Sequence, residues 1–306
     1  MQNDLEGGLL RSDFNYFHAD SGRTSFSIFE MAKSLKCISW NAKFWQLYKN
    51  KQDTWPLTPI DGVIRIGAAR KSLAISALRQ DCVFDILSEK IRSSVSSYQI
   101  NVALSGGLDS QVIALLAQDL GYDVKGYFLS SGIHGYCEKS EILSFAEKYK
   151  IKTEEISVTQ SDFVNEHSTL VQLTEYPIYN LHAVSKLLLA QQLKARGVFQ
   201  IFSGDGADQM ISGAHFCDLY FLTKLCFEKM NIALQAPYVC AEMRHWVKAN
   251  GPLINKEPLR ELAQKKWGLA PTAKKPTLFP EIYGTQACLE TSQNYLGNIL
   301  CVESQG

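Results

Sequence analysis

Between residues 100 and 203 the sequence repeats one pattern: a short apolar run, a polar loop, then a segment with apolar residues on one helical face. The apolar runs lie at 100–104, 124–130 and 198–203, and "TEEISVT" (153–159) reads as a further strand between the second and last of them. Helical periodicity falls between them, over 109–119, 138–149 and 181–195. Val112, Ile113, Leu116 and Leu120 line one side of the first of these helices, and Gly121 suits its C-terminal end. Ile142, Phe145 and Ala146 line the second. Strands separated by helices join as crossovers rather than hairpins, so the pattern predicts a doubly wound α/β fold with a parallel sheet covered on both faces. Such sheets bind ligands beyond the carboxyl ends of their strands. Two loops rich in Gly, Asp and Ser, 105–110 and 203–208, leave from that edge.

The flanks read differently. Val83, Leu87, Ile91 and Val95 recur at i, i+4, which predicts an amphipathic helix over 83–98. "PIDGVIRIG" (59–67) carries an Asp-Gly turn signal and reads as a short hairpin. Aromatic residues in "FWQLY" (44–48) mark residues 1–80 as folded. After residue 211 strand signals fade; "DLYFLTKLCFEKMNIAL" and "EPLRELAQKKWGL" read as helices of a C-terminal subdomain stacked on the carboxyl edge. The expected division is an N-terminal region, 1–82, and a main unit, 83–306.

Composition excludes several classes. Thirty-one basic residues balance 31 acidic ones, so no bulk charge draws the chain to nucleic acid or an anionic membrane. Eight cysteines stand without a CxxC pair, which reads as reduced thiols rather than zinc ligands or disulfides. The first ten residues carry acidic groups where a signal peptide needs basic ones. The longest apolar stretch, "VSKLLLAQQL", is too short to span a bilayer. The expected location is the cytoplasm.

The hexapeptide "SGGLDS" (105–110) carries the chemistry. Gly106 and Gly107 let the backbone turn sharply and bring bare amides to a ligand. The helix starting near Asp109 points its positive end at the same place. Ser105 and Ser110 add hydroxyls. The set reads as a phosphate cradle, without the lysine of a GxxxxGK[ST] loop. Asp109 among phosphates requires a divalent cation, so it reads as a Mg²⁺ ligand.

These residues resemble the pyrophosphate-binding loop of the N-type ATP pyrophosphatases, which cleave ATP between its α and β phosphates. "FSGDGADQMISGAHF" (202–216) resembles the second loop of the asparagine synthetases and β-lactam synthetases within that group. The resemblance implies a five-stranded sheet, ATP and Mg²⁺ as cofactors, and ATP contacts at Leu104, Ser105, Gly106, Gly107, Asp109, Ser110, Phe128, Ser203 and Gly204. It implies that Asp208 joins Asp109 as the second metal carboxylate. Asp205 stands where asparagine synthetases carry a glutamate, and reads as a general base or polar orienter, against a plain acidic helix cap. "APTAKKPTLFPEIYG" (270–284) resembles the segment whose lysine neutralises charge during adenylation, which makes Lys274 and Lys275 candidates. "EKSEILSFAEKY" and "TEYP" resemble further family elements, with Ser140 in place of an aspartate and Glu141 retained. "ALQAPYVCAEM" departs from the family's Arg-x-Pro-Phe-Leu-Asp stretch, with Gln235 and Cys240 at the positions of its arginine and aspartate, so aspartate is not implied as substrate.

The chain begins Met1-Gln2, without the catalytic cysteine of glutamine-dependent members. The implied function is an AMP- and pyrophosphate-forming ligase that adenylates a small-molecule or peptide carboxylate and passes it to an amine or ammonia. A separate glutaminase is one source of that ammonia. Two other readings stand beside it: adenylation of a nucleobase carbonyl, against which the neutral charge weighs, and a catalytically idle binding protein, against which the Asp109/Asp208 pair weighs.

Overall fold

A computed structural model describes residues 14–18, 23–25, 28–33, 35, 39–50, 58–61, 63–67, 83–131, 137–178, 182–212, 218–250, 256–269 and 285–300. In chain order the N-terminal elements are β1 (Phe14–His18), β2 (Arg23–Ser25), α1 (Ile28–Lys33), α2 (Ala42–Lys49) and β3 (Val63–Gly67). The central unit runs α3 (Val83–Ser94), β4 (Gln99–Ala103), α4 (Leu108–Asp119), β5 (Asp123–Ser130), α5 (Lys139–Tyr149), β6 (Lys152–Ser157), α6 (Gln160–Thr174), α7 (His182–Ala195) and β7 (Gln200–Ser203). It continues with α8 (Ala207–Ile211), α9 (Asp218–Lys229), β8 (Ala233–Gln235), α10 (Ala241–Asn250), α11 (Glu257–Trp267) and α12 (Thr285–Leu300).

The main sheet is five-stranded and parallel, in the order β6-β5-β4-β7-β8. Alternation of side chains along each strand feeds two cores. Tyr127 and Ile201 join one core with α6, α7, α9 and α12. Their neighbours Phe128 and Phe202 join the other with α3, α4, α10 and α11. Both faces are therefore covered, as a parallel sheet requires. The chain starts the sheet at β4, works outward through β5 and β6, then returns to β4's other side with β7. Strand order thus reverses between β4 and β7, and the crevice beyond their carboxyl ends is the natural ligand site.

The α/β fold and the helical C-terminal region are as the sequence implies. Two local readings change. Residues 59–67 do not fold back on themselves as a hairpin: β3 pairs antiparallel with β1, and Ile60 makes a lone bridge to Trp40. The helix expected through 234 stops at Lys229; Asn231 takes a left-handed φ of 58°, and the chain enters edge strand β8. N-terminal side chains share the first core: Phe44, Trp45 and Tyr48 pack near Tyr176, and Tyr48 Oη donates to the Pro177 carbonyl at 2.6 Å. Among the described residues no helix is long and apolar enough to cross a membrane. Cys137, Cys226, Cys240 and Cys288 are free thiols; burial pushes Cys226 and Cys288 up to about 12 and Cys240 up to about 11.

Candidate active site at the sheet switch point

The loop after β4 is held by its own serines. Ser105 N donates to Ser110 Oγ at 3.0 Å, Gly107 N donates to Ser105 Oγ at 3.2 Å, and the two hydroxyls lie 2.9 Å apart. Ser110 Oγ also lies 3.2 Å from the carbonyls of Ser105 and Gly107. A hydroxyl has one hydrogen to give, and Ser110 is buried. Ser110 therefore braces the loop rather than offering an open donor. Gln111 Nε2 adds a bond to the Gly106 carbonyl. α4 begins at Leu108 with Gly107 as its N-cap and Asp109 in its first turn, so the helix's positive end faces the loop.

The loop after β7 presses directly on that turn. A Cβ built on Gly204 would lie 2.7 Å from Asp109 Cβ and 2.7 Å from the Ser110 nitrogen. Only glycine allows this approach. Gly206, at φ 87°, then starts α8 and turns Asp208 toward the same crevice. Both carboxylates reach one ammonium: Lys256 Nζ lies 2.5 Å from Asp109 Oδ2 and 2.7 Å from Asp208 Oδ1. Lys256 is buried, at the N-cap of α11, in a left-handed conformation (φ 56°) that a lysine rarely adopts. Such outliers persist where surrounding structure over-determines them, and they cluster at functional sites.

Other groups close around the loop. Gly106 N donates to Glu138 Oε2 at 3.0 Å, so an acceptor oxygen already lies on a cradle amide. Tyr238 Oη donates to the Asp109 carbonyl at 3.3 Å. Burial, and then the Asp109 charge, push the Tyr238 phenol well above its ordinary range, so it stays a donor. On the far side of Gly204, Asp205 Oδ2 accepts from Lys186 Nζ at 2.8 Å and from Ser203 Oγ at 2.6 Å. Burial acts to raise the Asp205 carboxyl, but the adjoining Lys186 charge and these two hydrogen bonds outweigh it and hold it below the usual aspartate range.

The structure thus brings together Ser105, Gly106, Gly107, Asp109, Ser110, Ser203, Gly204, Asp205 and Asp208. Leu104 and Phe128 differ: their side chains are buried in the second core, so what they can present to a nucleotide is backbone. Lys274 and Lys275 lie outside the described residues. Glu138, Lys186 and Lys256 were not singled out from sequence; each meets the loops from a distant segment, and no local spacing marks it.

The residues fit a Mg²⁺ ion of one kind only. Asp109 and Asp208 are hard oxygen donors already arranged around a cation, the Lys256 ammonium. Among the described residues no group of three or more His, Cys, Asp or Glu could hold a metal. A metal here would complete its shell with water and phosphate oxygens, the usual habit of Mg²⁺.

Comparison with known proteins agrees with the geometry. A search of curated proteins returned no significant match. Among solved structures the chain is similar to a predicted subunit of a tRNA methyltransferase from Methanocaldococcus jannaschii, at 18% identity, over 55% of this chain and 88% of that one, with a TM-score of 0.31. The asparagine synthase family model matches residues 85–289, which contain both loops and the whole parallel sheet. The match spans more than half of the chain, and the protein belongs to the asparagine synthase family.

Proposed function

We propose that this protein is an ATP-dependent ligase that adenylates a substrate carboxylate, releases pyrophosphate and passes the acyl group to an amine or ammonia. The observation that supports this reading best is the convergence of Asp109 and Asp208, from the ends of neighbouring strands, on one cation beside a glycine loop and a helix N-terminus. A triphosphate tail needs amides that donate to its oxygens and positive charge to offset its negative charge. The first turn of α4 would supply amides directly, and Gly106 would add its own once a phosphate oxygen replaces the Glu138 carboxylate on it, while Ser105 and Ser110 hold the loop in shape. Asp109 and Asp208 would hold Mg²⁺, which when bound supplies charge neutralisation on the departing pyrophosphate.

In the first step a carboxylate oxygen bonds to the α-phosphorus, and the bond to the oxygen bridging toward the β-phosphorus breaks. The electron pair leaves with pyrophosphate. In the second step an amine attacks the acyl carbonyl, AMP departs and the amine loses a proton. The chain's part in both is positioning and charge compensation. Lys256, which bridges Asp109 and Asp208, would supply positive charge to the phosphates. Lys274 and Lys275 stay as candidates for the same work. The unit 83–306 would carry the reaction, with 1–82 bracing it. The acyl-adenylate hydrolyses in water, so the helical C-terminal region would serve as its cover.

The test is pyrophosphate release with ATP, Mg²⁺ and a panel of small and peptide carboxylates, with and without ammonia. The expected result is release that depends on one acid and falls at least a hundredfold in Asp109→Asn and Asp208→Asn. Release that needs RNA or DNA in place of an acid would transfer the protein to nucleobase chemistry. No release under any of these conditions would leave a binding protein.

A further inference from the structure

Two charged clusters flank the Gly204 backbone. On one side stand Lys256, Asp109 and Asp208. On the other stand Lys186, Asp205 and Ser203. The second cluster is built to the standard of the first. The Lys186 and Asp205 side chains are 14% and 16% exposed, and Ser203 is 3% exposed. Ser203 pairs in register with Ala103, so the cluster sits one strand from the mouth of the first loop. α7 leads into β7, so its N-terminal turns, which carry His182 and Lys186, lie at the carboxyl edge of the sheet.

Fastening a helix does not require such a group. Desolvating an ion pair costs much of what its attraction returns, and an apolar pair of similar volume serves stability as well. The ammonium also has three hydrogens; among the described residues Asp205 takes one of them. A carboxylate tied to an ammonium and a hydroxyl is moreover a weak proton acceptor. The geometry makes Asp205 the holder and Lys186 the group held.

We propose that Lys186 is the cation that meets the α-phosphate of the nucleotide, with Asp205 and Ser203 as its positioning residues. This rests on the adenylation reading above and divides that site into two halves. Lys256 and the two metal carboxylates serve the pyrophosphate end, and Lys186 serves the AMP end, where the acid's oxygen joins phosphorus and negative charge accumulates. Lys186 gives up no proton in that step; it remains an ammonium throughout.

The two halves can be probed without knowing the acid. Binding of AMP, inorganic pyrophosphate and Mg²⁺·ATP is measured by calorimetry for the wild type, Lys186→Met, Lys186→Arg and Asp205→Asn. Lys186→Met is expected to weaken AMP and ATP by about ten- to a hundredfold, the range of a lost charge-assisted hydrogen bond, and to leave pyrophosphate binding unchanged. Lys186→Arg restores part of the loss. Asp205→Asn shows a smaller loss with the same selectivity, which a merely structural role would not show. If Lys186→Met fails to fold, the double variant Lys186→Met/Asp205→Asn, which removes both charges together, carries the same comparison. Equal weakening of AMP and pyrophosphate, or none, overturns the assignment while the adenylation reading stands. A wild type that binds neither AMP nor ATP overturns both.

Discussion

Lys256 is the residue on which the charge balance of the site turns. Its ammonium lies between two carboxylates that belong to different loops, and its own backbone sits in a region lysine avoids. Replacing it with methionine leaves the carboxylates facing each other across the space the ammonium filled. Lys256→Met is therefore expected to lower stability by about 1–3 kcal/mol, discounted for the partial exposure of Asp208. Millimolar Mg²⁺ should return part of that loss, because it offers the same carboxylates another cation. A thermal melt of wild type and variant, each with Mg²⁺ and with chelator, checks this; a variant whose melting point ignores Mg²⁺ would show that the aspartates do not share a cation site. Sequence reading could place Asp109 and Asp208, since each sits in a compact motif at a strand end. It could not place Lys256, which contacts Asp109 across 147 positions and lies in a segment that reads only as a helix start. Lys186 is hidden for the same reason: its spacing is that of a lysine on a helix face.

At the scale of elements, the central strands read most directly from the sequence, while edge strand β6 (Lys152–Ser157) is legible from its place between two helices although it is largely uncovered. β4, β5 and β7 are apolar runs because parallel strands at the centre of a sheet are covered above and below. β8 has three residues, Ala233–Gln235, all partly or fully exposed, so it leaves no periodic trace. α6 has a readable start but a weak apolar pattern: Thr159 and Asp162 form a capping box, with Thr159 N donating to Asp162 Oδ2 at 2.6 Å. That helix carries a pH response. His167 is 2% exposed, its Nε2 lies 3.0 Å from Ser292 Oγ on α12, and Ser292 also bonds the backbone of Ile178. Burial pulls the His167 imidazole down to about 4. The folded state thus resists a proton that the unfolded chain accepts at about 6.5. Stability from this residue is complete above that value and is lost as pH falls from about 6.5 toward 4. The total is about 3 kcal/mol for such a shift. Denaturant titrations at about pH 7.5 and about pH 4.5, on either side of about 6.5, should show a slope with pH that flattens in His167→Asn; an unchanged slope would place the response elsewhere.

Across the whole molecule, aromatic packing joins the described part of the N-terminal region to the sheet unit. Phe44 stacks on Tyr48 at 5.4 Å between ring centroids and meets Tyr176 edge-on at 6.0 Å. Ile28 N donates to the buried Glu175 carboxylate at 3.1 Å, a bond that links α1 to the end of α6. Phe44→Ala is accordingly expected to cost about 3–5 kcal/mol, the usual penalty for a fully buried aromatic, and to weaken the chain far from the crevice without touching it. Chemical denaturation gives the figure; a loss below about 0.5 kcal/mol, the level of a surface change, would mean that residues 39–50 ride on the surface. The order of synthesis adds a consequence to the bridge at Lys256. Both acidic residues have been synthesised once residue 208 is made, whereas their ammonium partner follows 48 positions later, the difference between 208 and 256. For that interval the nascent chain carries a more negative crevice than the finished protein, and the ionic composition of the surrounding solution decides how readily the two strand ends settle side by side.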